Sequence, residues 1–350
     1  MHQAASGAEL LVHADMAEQP AVLERLLGRR AELGEVLARF RSRPPRGVLL
    51  VARGSSDNAA TYGRYVLEAA TGRPVTLAAN SLWTRYERAA RLPDWLVVAI
   101  SQSGATPEVV EVMRLAGESG SFTLAVTNDL HSELAAGADA VFSLGAGPER
   151  AIPATKTYTA TLVALALVAE TLGDPPWSRG ALDDLPGAVA SALDRLDGLD
   201  RATELLARGE PSVHLGRGFL YGAALESALK MREIARVVAD GYALGDFLHG
   251  PIAATGEGTQ AVCHIGGGAT RDDGYQVVAA VTARGVTTVV IASDDRGPEL
   301  TARVSVPPVE ETLAAVLHAV AGQRLALQCA LARGVDPDHP LGLHKVTATT

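Results

Sequence analysis

The chain repeats itself at a fixed distance, and that repeat limits its fold more than any other feature. The stretch Val48-Leu-Leu-Val-Ala-Arg53-Gly54, leading into Ala59-Ala60, has a counterpart 164 positions later. That counterpart is Ser212-Val-His-Leu-Gly-Arg217-Gly218, leading into Ala223-Ala224. Gly104-Ala105-Thr106 returns at the same offset as Gly268-Ala269-Thr270. Either match alone is uninformative, but two at one offset, each behind an apolar run, point to a duplicated unit. Strands are expected near 48–52, 75–79, 95–100, 122–127 and 140–144, then near 212–216, 260–265, 286–292 and 303–306. Helical stretches separate them, which implies an α/β fold with parallel sheets covered on both faces. Residues 1–44 read as a leading helical segment and 45–172 as the first unit. Residues 173–204 read as a linker with a short helix, 205–336 as the second unit and 337–350 as a tail. Hydrophobic residues make up 47% of the 350 and aromatics only 4%, so the cores must be built from Ala, Val and Leu.

Ligands in such sheets sit beyond the carboxyl ends of the strands. Two turns fall there in the first unit, Arg53-Gly54-Ser55-Ser56 and Ser101-Gln102-Ser103-Gly104-Ala105-Thr106. The second runs from an apolar strand into a helix starting at Pro107. A helix start offers unpaired N–H groups and partial positive charge, and the hydroxyls of Ser101, Ser103 and Thr106 with the Gln102 amide add donors. Glycine at 104 lets the backbone approach an anion. Ser and Thr also favour ordinary N-caps, but four polar groups in six residues exceed what a cap needs. The second unit has lost these groups: it reads His264-Ile-Gly-Gly-Gly268, and Phe219-Leu-Tyr221 where the first has Ser55-Ser56-Asp57. Only the first unit is therefore equipped for phosphate.

The second unit carries other chemistry. Glu226, Lys230 and Glu233 share one helix face, a spacing that most often gives a solvated ion-pair stripe of little energetic weight. A glycine-punctuated loop follows, Gly241-Tyr-Ala-Leu-Gly245-Asp246-Phe-Leu-His249-Gly250-Pro251, with an acid and a histidine.

These segments together resemble the tandem sugar-isomerase (SIS) family, and specifically the isomerase half of glucosamine-6-phosphate synthase. The motifs are Ser-Gln-Ser-Gly-Ala-Thr at 101–106, Thr155-Lys156-Thr-Tyr158-Thr159, Leu225-Glu-Ser-Ala-Leu-Lys-Met-Arg-Glu-Ile234, His249-Gly-Pro251 and Leu343-His-Lys345-Val-Thr347. They come in family order and cover nearly the whole chain. The resemblance implies two SIS domains, each a flavodoxin-like parallel sheet flanked by helices. It implies that Ser56, Ser101, Gln102, Ser103 and Thr106 hold a sugar phosphate, with Gly54, Ser55, Ile152, Ala154 and Glu226 around the sugar. Glu233 would be the base that moves a proton between carbons 1 and 2, and Lys230 would sit beside it. His249 would open the sugar ring from the neighbouring subunit, which implies a homodimer. Lys345 would stand where the family has a lysine able to form a Schiff base with a keto sugar. Ala154 departs from the synthase serine, Pro153 is unusual, and the last residues are not the synthase ending.

Several functions are disfavoured. A net charge of −9 argues against nucleic acid and offers no basic patch for a membrane surface. The longest apolar stretch recognised, Thr161 to Ala169, is too short to span a bilayer. Cys263 and Cys329 read as core residues in a reducing compartment, no secretory signal is visible, and a cytoplasmic location is expected. His13, His131, His214, His264, His318 and His339 lack zinc spacing, and no nucleotide fingerprint or other cofactor is implied. A counterpart of the synthase's N-terminal glutaminase domain, with its cysteine after the initiator Met, is not expected here, where residue 2 is His. The expected activity is therefore deamination with isomerisation, from glucosamine 6-phosphate to fructose 6-phosphate and ammonia. A fructosamine-6-phosphate deglycase, a plain aldose–ketose phosphosugar isomerase and a non-catalytic sugar-phosphate sensor are the alternatives.

Overall fold

The computed structural model describes residues 10–295, 302–343 and 345. His344 and residues 346–350 of the tail motif lie outside the described residues. In the first half, β1 (Val48–Val51), β2 (Val75–Leu77), β3 (Leu96–Ile100), β4 (Phe122–Thr127) and β5 (Ala140–Ser143) form a parallel sheet in the order β2-β1-β3-β4-β5. In the second half, β6 (Ser212–Gly216), β7 (Ala239–Ala243), β8 (Gln260–His264), β9 (Thr287–Ala292) and β10 (Ala302–Ser305) repeat that order, again all parallel.

Strand β7 was expected to be part of a glycine-punctuated loop. It is an edge strand paired with β6 along its whole length, and it begins 164 residues after β2. Asp240 and Gly241 depress its strand signal. The glycine is required because a Cβ there would lie 2.8 Å from Leu225 Cα on the helix packed above.

Among the described residues, four helices precede the first sheet: α1 (Leu11–Ala17), α2 (Gln19–Leu27), α3 (Arg30–Val36) and α4 (Arg39–Ser42). Pro20 lies in the first turn of α2, where its missing N–H costs nothing. The first sheet is flanked by α5 (Ser55–Thr71), α6 (Asn80–Thr84), α7 (Pro107–Glu118), α8 (Glu133–Gly137) and α9 (Lys156–Leu172). The expected linker carries α10 (Leu185–Asp194) and the start of α11 (Leu199–Leu206), two helices rather than one. Around the second sheet stand α12 (Tyr221–Glu233), α13 (Leu244–Leu248), α14 (Arg271–Thr282) and α15 (Ala315–Ala332).

One large core lies between the two sheets, where α5 and α9 of the first half pack against α12 and α15 of the second. Smaller cores cover the outer face of each sheet. Helix α15 is long and apolar enough to cross a membrane by length and composition, unlike the shorter run at 161–169. Yet 78% of it is buried inside the protein, so core packing accounts for its apolarity. Cys263 and Cys329 are both buried and unpaired, as the sequence suggests. Because the halves share a core, groups from α12 are brought against α5, and this contact builds the site described next.

Candidate active site at the carboxyl edge of the first sheet

A cavity of about 380 Å³ opens beyond the carboxyl ends of β1 and β3. Ser55 and Ser56 reach it from the start of α5, directly after β1, where Gly54 takes φ +60° at the N-cap. Ser101, Gln102, Ser103 and Thr106 reach it from the loop between β3 and α7. Neither helix start is closed by its own N-cap side chain: Thr106 makes no capping hydrogen bond and Gly54 has no side chain to offer. That observation separates the loop from an ordinary cap. The Ser101 hydroxyl instead lies 3.1 Å from Thr106 Oγ1 and accepts from Gly104 N at 3.1 Å, which holds the turn closed. Gly104 has φ +62°, and a Cβ there would overlap the Ser132 side chain. Two long helices therefore aim their positive ends at one space.

Ile152, Ala154 and Glu149 form a second wall, on the segment leading to α9. Glu149 escaped the sequence reading. Its buried carboxylate accepts from Thr155 N at 2.7 Å and Thr157 N at 3.2 Å, and from both threonine hydroxyls. It thus satisfies the α9 N-terminus that the other two helices leave open. The threonine pair six and eight residues downstream was its only trace in sequence. Arg53, at the rim and paired with Glu108 at 2.7 Å, was also missed as a lining residue.

The third wall comes from the second half. Glu226, Lys230 and Glu233 do share a helix face, but it is buried against α5 rather than solvated. Glu226 is 1% exposed and Lys230 fully buried. Glu226 accepts from Ser55 Oγ at 2.9 Å and Asn58 Nδ2 at 2.8 Å, while Lys230 Nζ lies 3.2 Å from Glu226 and 2.5 Å from Glu233. Burial pushes the Glu226 carboxyl above its ordinary pKa, against the pull of Lys230. Burial also works against the Lys230 charge, but Glu226 and Glu233 outweigh it and raise its pKa. Of the three, Glu233 lines the cavity, while Lys230 and Glu226 stand behind it and fix its place.

Lys345 enters from the tail, 3.8 Å from Glu149, and donates to the Ala151 carbonyl. Burial lowers its pKa below the ordinary lysine value, partly offset by Glu149 and Asp15. His249 is not brought to this cavity. It caps the end of α13 on the exposed surface of its own chain. No cluster of potential metal ligands occurs among the described residues.

Residues 43–171 and 212–333 match the model of the SIS domain. The chain belongs to the SIS domain family. It carries two copies, in agreement with the expected fold of paired α/β units. Over 95% of its length it is 32% identical to the glutamine–fructose-6-phosphate aminotransferase (isomerizing) of Pseudomonas aeruginosa and 33% identical to that of Symbiobacterium thermophilum. It spans 57% and 58% of those relatives. A solved structure from Silicibacter pomeroyi DSS-3, described as a phosphosugar isomerase, is 31% identical with a TM-score of 0.84, covering 94% of this chain and all of that one. A glucosamine-6-phosphate deaminase structure from Thermotoga maritima shares the fold, with a TM-score of 0.73 at 23% identity over 94% of this chain and 99% of that one. Both aminotransferases are isomerising enzymes by name, and the chain matches a little over half of their length.

Proposed function

We propose that this SIS protein is an amino-sugar-phosphate isomerase and deaminase, converting glucosamine 6-phosphate and water into fructose 6-phosphate and ammonia. The observation that carries the reading is the pairing, across one cavity, of a hydroxyl-lined double helix start with the Glu233 carboxylate. The first suits a phosphate dianion, the second a proton transfer at the far end of the sugar. The names of the relatives at 32% and 33% identity join fructose 6-phosphate to an amino group, which supports the same substrate pair.

Ser56, Ser101, Gln102, Ser103 and Thr106 hold the phosphate, and Gly54, Ser55, Ile152 and Ala154 bound the sugar chain. Glu233 removes the proton from carbon 2 of the open-chain aldose and delivers it to carbon 1. The carbon-1 oxygen gains a proton and the amine loses one, leaving an imine at carbon 2. Water adds to that imine, ammonia departs and the ketose remains. The Lys230 ammonium, 2.5 Å from Glu233, holds that carboxylate in place from behind the cavity wall. Lys345, which lines the cavity and whose pKa burial lowers, suits contact with the carbonyl or a transient Schiff base. Ring opening by His249 requires a second copy of the chain, because His249 lies outside the cavity of its own chain.

The test is release of ammonia from glucosamine 6-phosphate by the purified protein, coupled to detection of fructose 6-phosphate. Both products are expected, and Glu233→Gln should lower the rate by about 10²–10⁴-fold, the usual contribution of a positioned acid–base. Aldose–ketose interconversion without ammonia, or amino-acid release from a phosphorylated fructosamine, would replace the reading with an isomerase or a deglycase. Binding of the sugar phosphate with no turnover would replace it with a sensor.

A further inference from the structure

Helix α1 begins without a capping side chain of its own, since Leu10 occupies its N-cap. The cap is supplied from the other end of the chain. Asp338 accepts from Leu11 N at 2.8 Å and from Val12 N at 2.9 Å, across more than 300 residues. Its own position is set by Asp336, which accepts from Asp338 N at 2.9 Å. Farther along the same helix, the fully buried Asp15 accepts from Arg150 N at 2.7 Å and Ala151 N at 2.8 Å, and pairs with buried Lys156 at 3.1 Å. The carbonyl of that same Ala151 receives Lys345 Nζ. Asp338 and Lys345 are seven positions apart on the tail, and α1 ties both to one frame.

We infer that Asp338 and α1 form a latch that positions Lys345 in the cavity, which makes Asp338 a positioning residue for the proposed reaction. The inference rests on that reading for its effect on turnover, but the latch itself is a statement about where Lys345 lies. Chain ends fray unless they are tied down. Two charge-assisted bonds to a helix start are a strong tie for so short a segment. Without them, Lys345 would leave Ala151 and Glu149 for solvent.

The experiment compares wild type, Asp338→Ala, Asp338→Asn and Leu11→Pro in the full-length protein. Leu11→Pro deletes one donor of the latch at a helix position where proline is tolerated. Acylation of Lys345 by a small amine-reactive ester is followed by peptide mass spectrometry, and kcat and KM for glucosamine 6-phosphate are measured alongside. Asp338→Ala should speed Lys345 acylation roughly tenfold and lower kcat by a similar factor with KM nearly unchanged, as loss of charged hydrogen bonds predicts. Asp338→Asn, keeping one acceptor oxygen, and Leu11→Pro should each fall between. An acylation rate unchanged in folded Asp338→Ala would overturn the latch. So would a rate unchanged in both milder variants if Asp338→Ala fails to fold. A wild-type protein that releases no ammonia would instead overturn the proposed reaction, and the acylation series would still decide the latch.

Discussion

The loops behind β3 and β8 occupy the same place in two sheets of the same strand order, yet they face different neighbours. Behind β3, Ser101, Gln102, Ser103 and Thr106 line an open cavity. Behind β8, the loop is Ile265-Gly-Gly-Gly-Ala-Thr270, and the Glu311 carboxylate lies across it. A Cβ at Gly266 or Gly268 would overlap that carboxylate, and Thr270 donates a hydrogen bond to it. Glu149 and Glu311 each lie on the segment leading to the last helix of its half. The first caps its own helix α9 and leaves the neighbouring loop free. The second fills that loop with an anion belonging to the chain itself. A helix start behind a parallel strand favours negative charge, and in the second half Glu311 takes that place. The half with the filled loop contributes α12 instead, so the cavity behind β3 draws on both copies.

The comparison is most open to breakage in the first loop. Ser103→Ala combined with Thr106→Val should raise KM for the sugar phosphate by about 100-fold, roughly tenfold for each hydroxyl that donates to a dianion. Steady-state kinetics checks this, and an unchanged KM would show that the phosphate does not sit there.

A second difference concerns acid. The second half buries His214, His264 and His318 in a chain of close contacts, with His264 and His318 3.3 Å apart and His214 2.9 Å from Ser227. Burial is the main cause that holds His214 and His318 near pKa 3, and it keeps His264 well below its ordinary value, with Arg232 adding to the effect on His214. The folded state therefore refuses protons that the unfolded chain accepts below pH 6.5. Stability is complete above that pH and falls on acidification, by about 1.4 kcal/mol per pH unit for each of His214 and His318 until pH nears 3, with His264 adding in the same direction. Denaturant titrations between pH 7 and 4 should show the loss, and hydrogen exchange should place the first opening in the second sheet. Opening of the first sheet before the second would contradict the account.

The smallest effect is a control. Thr270→Val in the filled loop should leave KM within about twofold of wild type, since Thr270 lies outside the cavity and its hydroxyl is taken by Glu311. A large rise in KM there would make the two loops functional equals.

Much of this was legible in sequence because it is local or periodic. The alternation of strands and helices, the hydroxyl loop behind a buried strand, and the 226–230–233 helix face all follow from spacing within a few residues. What escaped was non-local or masked by composition. β7 was hidden by Asp240 and Gly241, although the 164-residue offset from β2 falls on it. Glu149 was a lone acid in a loop, recognisable only once Thr155 and Thr157 folded back onto it. The burial of Lys230 depends on α5 lying over α12. The bonds of Asp15 and Asp338 cross 135 and more than 300 residues, distances at which periodicity carries no signal.

The central claim is that the second half lends its carboxylate to a sugar held by the first. The most direct test follows fructose 6-phosphate with excess ammonium in deuterated water by proton NMR with wild type and Glu233→Gln. The account predicts that wild type exchanges one carbon-1 hydrogen for deuterium, that Glu233→Gln nearly abolishes the exchange, and that binding of the sugar phosphate survives the substitution. Exchange at the wild-type rate in Glu233→Gln, or none in wild type with the ligand bound, would contradict it.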